Sequence, residues 1–204
     1  MELIAVTRPD YFQGEGELIN GLFEAGLQLL HLRKPENNEA EFMRLMLEIN
    51  PDYYRAISIH QHHELANRFS IRRLHYPEKL WKLTSQQKRT ELVTEGFHLS
   101  RSVHEWALLE DTAFLDYVFF GPVFNSISKV GYQSIVDRDF SLSAVPEGLK
   151  VFGIGGVTAA LFQELRRMKF DGAVVLGALW NHPSGALKEF EKMLTSLEEK
   201  RDVN

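Results

Sequence analysis

Short apolar runs recur along the chain, each broken by a polar turn and followed by a stretch in which apolar residues step at helical spacing. The strand-like runs are ELIAVT (2–7), LQLLHLR (27–33), AISIH (56–60), IRRLHY (71–76), GFHLS (96–100), DYVFFG (116–121), LKVFGIGG (149–156) and GAVVLG (172–177). Between several of them the spacing turns helical: Leu18, Leu22 and Ala25; Phe42, Leu45 and Ile49; Leu161, Leu165 and Met168; Leu187, Phe190 and Leu194. Nearly continuous apolar strands alternating with amphipathic helices predict an α/β chain with a parallel sheet buried on both faces. Eight such strands fit a closed (β/α)8 TIM barrel. Two units are irregular: 79–93 reads as a helix or a loop, and 132–149 contains only a short helical candidate. An open doubly wound sheet is therefore the structural alternative.

Composition narrows this picture without changing it. A chain of 204 residues with 44% hydrophobic content suits one domain over 1–204 with one substantial core. A net charge of −5 gives no whole-molecule attraction for nucleic acid or anionic membrane, so an anionic ligand has to be held locally. Cysteine is absent, which removes disulfides and thiolate chemistry and agrees with a cytoplasmic location. The opening MELIAVTRP breaks too early for a signal peptide, and no apolar run approaches the roughly 20 residues of a membrane span.

In a barrel, ligands gather where the strands end, so the strand ends carry the candidate chemistry. Gly155 and Gly156, in GIGGV, and Leu176 and Gly177, in LGALW, follow the seventh and eighth runs, the usual phosphate cradle of this architecture. The alternative for the glycines is a tight strand-to-helix turn. After the sixth run, GPVFNSISKVG offers the hydroxyls of Ser126 and Ser128 and the cation of Lys129, donors suited to phosphate oxygens, or simply a solvated loop. His31 and Arg33 share strand parity, opposite to Leu30 and Leu32, and Arg33 with Lys34 suggests an anion in the barrel mouth or a surface charge pair. The HQHH cluster at 60–63, with His75, allows a second class of function, a metal hydrolase built on His60, His62 and His75. His98, His104 and the three tryptophans read as packing or capping residues.

Taken in order, LLHLRKPE, LSRSVHEW, DYVFFGPVFNSISKVG, VFGIGGVTAA and DGAVVLGALW resemble the thiamine phosphate synthase family and its relative, the thiazole tautomerase family. The resemblance is collinear over essentially the whole chain. It implies a transferase of thiamine biosynthesis that couples hydroxymethylpyrimidine diphosphate to thiazole phosphate, releasing diphosphate. It also implies small phosphate-ester partners and a homo-oligomer as one arrangement. Residue by residue, it implies that Ser126, Ser128 and Gly156 contact thiazole phosphate, that Leu176 and Gly177 form a backbone phosphate cradle, and that Ser102, Arg33 and Lys129 serve the diphosphate.

The same resemblance implies magnesium as cofactor, but the positions of its ligands are altered. The Asn-Asp pair after strand three is His60-Gln61 here, and the nearest acid after strand four is Glu78. His31 stands where the synthases have glutamine, and Lys34 lies beside Pro35, which replaces a lysine. His31 and RSVH are tautomerase-like, which makes an isomerase with His31 or His60 as base the alternative, yet the tautomerase acid/base histidine is Pro122. A phosphate-binding protein without turnover is the third reading.

Overall fold

In the computed structural model, which describes residues 1–36, 38–106, 109, 112–125, 133–137 and 139–198, eight parallel strands close into a barrel in sequence order. They are β1 (Glu2–Val6), β2 (Leu30–Leu32), β3 (Ile57–Ile59), β4 (Arg73–Tyr76), β5 (His98–Val103), β6 (Leu115–Phe120), β7 (Lys150–Ile154) and β8 (Gly172–Val175). The ring closes where Glu2 to Ala5 pair with Gly172 to Val175. All eight expected strands are present, and the open-sheet alternative is excluded by that closure.

The helices are α1 (Glu15–Glu24), α2 (Glu39–Glu48), α3 (Glu78–Leu83), α4 (Gln86–Thr94), α5 (Phe162–Arg167), α6 (Gly177–Trp180) and α7 (Ala186–Glu198). Asn38 starts α2 by accepting the amide of Glu41, and Ser85 starts α4 by accepting that of Lys88. The ambiguous 79–93 stretch is thus two short helices. The stretch 132–149 forms no helix among its described residues. Among the described residues, no helix is long and apolar enough to cross a membrane.

Strand parity sorts the core into two layers. Leu3, Ala5, Leu30, Leu32, Ile57, Ile59, Leu74, Val118, Val151 and Ala173 face the helices and bury against them. Inside the barrel, β1, β6, β7 and β8 supply Ile4, Val6, Tyr117, Phe119, Phe152 and Val174. The opposite wall is polar: His31, Ser58, His60, His75 and Ser100 are all buried there. The interior is therefore an aromatic and aliphatic half facing an imidazole and hydroxyl half, and the second half needs internal hydrogen-bond partners.

Candidate active site at the barrel mouth

The C-terminal ends of β6 and β7 are locked together. Beyond the strands, the amide of Val123 donates to the Ile154 carbonyl (2.8 Å) and that of Phe124 to the Gly155 carbonyl (3.0 Å). A Cβ on Gly121 would stand 2.0 Å from the Ile154 oxygen, one on Gly155 2.6 Å from the ring of Pro122, and one on Gly156 2.5 Å from the Asn125 oxygen. Gly155 and Gly156 also have φ of +95° and +67°, where side chains are strained. These glycines are required for two loops to touch, a stronger constraint than the tight turn suggested by spacing. Replacing Gly121 with alanine is expected to cost about 1–3 kcal/mol in urea unfolding, as overpacking of a filled site does.

The segment 133–136 returns onto the same place. The Ser134 amide donates to the Asn125 side chain (2.8 Å), its hydroxyl donates to the Val123 carbonyl (2.7 Å), and the Ile135 amide donates to the Pro122 carbonyl (2.9 Å). Ser126, Ser128 and Lys129 lie outside the described residues. Their flanks, Asn125 and Ser134, are pinned together beside Gly156.

Across the barrel, Arg33 follows β2, and its backbone amide donates to the hydroxyl of Thr7. Among the described residues no carboxylate pairs with its guanidinium. Its charge helps hold the pKa of His60 and His75 down, although burial is the larger cause at both rings. Ser102, on β5, shares a hydrogen bond with His75 Nε2 (2.9 Å). Leu176 leads into α6, whose first turn leaves amides without intrahelical partners.

Several expected site residues are placed elsewhere. Lys34 does not face the mouth: its ammonium donates to both carboxylate oxygens of Glu15 (2.7 and 2.8 Å) and to the Asp10 carbonyl (2.8 Å). The pair is sealed, with side-chain exposures of 0% and 1%, and lies against the Tyr11 ring. Leu30, Leu32 and Lys34 share one parity, so the chain directs Lys34 to the helix side, where α1 supplies Glu15. Burial pushes the Glu15 carboxyl up and the Lys34 ammonium down, and the contact between them opposes both shifts.

His31 is also corrected. It is fully buried, with Nε2 bonded to the Tyr117 hydroxyl (2.7 Å) and Nδ1 to His60 Nε2 (3.0 Å), so it lies beneath the mouth with both nitrogens on neighbouring side chains. The histidine set shifts as well. His31, His60 and His75 come together, with ligand atoms within 4.8 Å of one another. His62, expected with them, leaves the strand in a left-handed turn (φ 56°) and packs on Phe42. Parity of His31, His60 and His75 on three successive strands was the available signal.

His104 Nδ1 bonds the Gly121 carbonyl (2.6 Å), whereas His98 is half-exposed at the start of β5 and pairs with Asp116. Trp81 is buried beneath the Arg89 guanidinium (3.9 Å), and Trp180 donates to the Val6 carbonyl (2.6 Å).

The altered magnesium positions do not reassemble a magnesium site. The Gln61 side-chain oxygen accepts the Lys34 amide (2.7 Å), and Glu78, at the start of α3, is ion-paired with Lys82 (2.6 Å). Magnesium requires oxygen ligands, commonly one or two carboxylates. Among the described residues the only convergent ligand group is the three imidazoles. These residues do not fit magnesium.

Comparison with known proteins agrees with this architecture. A thiamine phosphate pyrophosphorylase structure from Bacteroides thetaiotaomicron is 26% identical, with a TM-score of 0.72 over 98% of this chain and 99% of that one. A thiamine phosphate pyrophosphorylase from Pyrococcus furiosus shares the fold at 16% identity (TM-score 0.72, 97% and 96% covered), as does a 3-hexulose-6-phosphate synthase at 14% (TM-score 0.60, 95% and 99%). No curated protein sequence matches the chain significantly. The family model described as thiamine monophosphate synthase matches residues 3–179, and the chain belongs to that family.

Proposed function

We propose that the protein joins hydroxymethylpyrimidine diphosphate to thiazole phosphate. In this reaction the bond from the pyrimidine methylene carbon to the diphosphate oxygen breaks, diphosphate leaves with the bonding pair, and the thiazole nitrogen forms the new C–N bond to the cationic methylene. The observation that carries the reading is Arg33: a guanidinium just past β2 with no carboxylate partner among the described residues, near enough to the inward-facing His60 and His75 for its charge to lower their pKa.

Negative charge develops on the departing diphosphate, and fixed cations placed there stabilise the transition state more than the ground state. Arg33 and Lys129 are assigned that role, with the Ser102 hydroxyl, oriented by His75, as a further donor. Thiazole phosphate is assigned to the amides around Gly155 and Gly156 and of Leu176 and Gly177, with Ser126 and Ser128. Lys34 has no part, because it is sealed in its ion pair with Glu15. No step is routed through magnesium. The isomerase reading loses one of its two expected bases, because His31 is sealed.

The test is mass-spectrometric detection of thiamine phosphate after incubation with both substrates. Arg33→Ala is expected to lower turnover by about 100-fold, the effect of removing one transition-state charge contact, while thiazole phosphate binding changes less than about threefold. Equal losses in turnover and thiazole phosphate binding would place Arg33 in ground-state binding and overturn the assignment. Absence of product from protein that still binds thiazole phosphate would leave the phosphate-binding reading.

A further inference from the structure

We infer that His31, His60 and His75 form a three-imidazole site for a divalent transition metal such as zinc or cobalt, inside the barrel beneath its mouth. The rings come from β2, the end of β3 and β4, all on the inward parity, and one nitrogen from each lies within 4.8 Å of the other two. Three imidazoles with one open position is the ligand set of many zinc centres.

The spacing is close to what such an ion needs. With metal–nitrogen lengths of about 2.0–2.1 Å, the ligand nitrogens of a tetrahedral site stand about 3.3 Å apart. His31 Nδ1 and His60 Nε2 already face each other at 3.0 Å. Outer partners fix the opposite sides of two rings: the Tyr117 hydroxyl holds His31 Nε2 (2.7 Å), and Ser100 holds His75 Nδ1 (2.9 Å). That leaves His75 Nε2, whose partner is the rotatable hydroxyl of Ser102 (2.9 Å), to turn to a metal. Metal-binding histidines characteristically have such an outer hydrogen bond on the nitrogen that does not bind metal.

The surroundings agree. Phe119 packs at a tilt against His31 and His75 (4.4 and 4.8 Å between centroids), and His60 stacks on His75 (4.1 Å), so the rings are oriented rather than loosely packed. Burying three polar rings costs desolvation that the aliphatic side of the same barrel avoids, and a bound ion would offset it. Of the three, only His60 has any exposed surface, 6%, which puts the open coordination position toward the mouth. The nearby charge of Arg33 opposes a bare dication, so an anion is the fitting fourth ligand.

The site is tested by titrating Co2+ into EDTA-treated, dialysed protein and following visible absorption, which tetrahedral Co2+ gives strongly. Wild type is expected to take up about one equivalent with nitrogen-ligand bands and a raised melting temperature. Affinity is expected to fall roughly 100-fold in His60→Asn and about 10-fold in Tyr117→Phe, which removes only an outer partner. His63→Ala and His182→Ala should leave it unchanged. Should the histidine variants fail to fold, the wild-type spectrum and Tyr117→Phe still decide. Lack of stoichiometric Co2+ bands in wild type, or bands that survive His60→Asn in folded protein, would overturn the site and leave a hydrogen-bonded histidine cluster alone.

Discussion

Lys34→Met is expected to destabilise the protein by about 3–5 kcal/mol, because it leaves the Glu15 carboxylate buried without its partner. Glu15 is 1% exposed and has both oxygens on the Lys34 ammonium, so no water can replace the lost cation. The double variant Glu15→Leu/Lys34→Met should recover most of that loss, since an apolar pair avoids the desolvation of both charges. Urea unfolding with an unchanged m-value measures both effects. A loss below about 1 kcal/mol for Lys34→Met, the range of exposed pairs, would contradict a sealed ion pair. The same experiment separates structure from function. A ligand-binding Lys34 would weaken diphosphate binding in a protein of near-normal stability.

Lys34 also shows how far the sequence is legible. Its parity with Leu30 and Leu32 points it to the helix side, but two adjacent cations after an apolar strand read equally well as an anion site. What decides is Glu15, a partner on α1 that only the folded chain brings near. The eight strands were readable because burial on both faces leaves almost unbroken apolar runs. Helix α4 was not, because its buried face consists of Arg89 and Leu92, and Arg89 packs on Trp81 of the neighbouring helix. GIGG was readable as a special backbone, yet its use was not: the demand on Gly155 and Gly156 comes from Pro122, Phe124 and Asn125, about 30 residues earlier in the chain. For the histidines, parity marks His31, His60 and His75 as inward but marks His62 equally. The HQHH run drew attention to His62, although β3 ends at Ile59 and His62 has already turned out of line.

The metal-free protein is expected to lose stability steeply as pH falls below about 6.5, well before its carboxylates titrate. Burial, the largest cause, lowers the His75 pKa to about 3, with smaller contributions from His63 and Arg33. The unfolded chain takes up this proton near the ordinary histidine value of 6.5, whereas the folded chain does not until about pH 3. Between those values the unfolded state binds more protons, so stability is fully present above pH 6.5 and declines on acidification. At about 1.36 kcal/mol per pH unit, His75 alone removes about 2 kcal/mol by pH 5. Burial lowers His31 and His60 in the same direction, so the fall exceeds that of one ring. Glu15, whose pKa is raised, works the opposite way, and it contributes equally to wild type and to a His75→Leu variant. The difference between their urea stabilities at pH 7 and pH 5 therefore isolates the ring. That difference should narrow by about 2 kcal/mol, and parallel profiles would show that His75 is already protonated, or solvated, in the folded barrel.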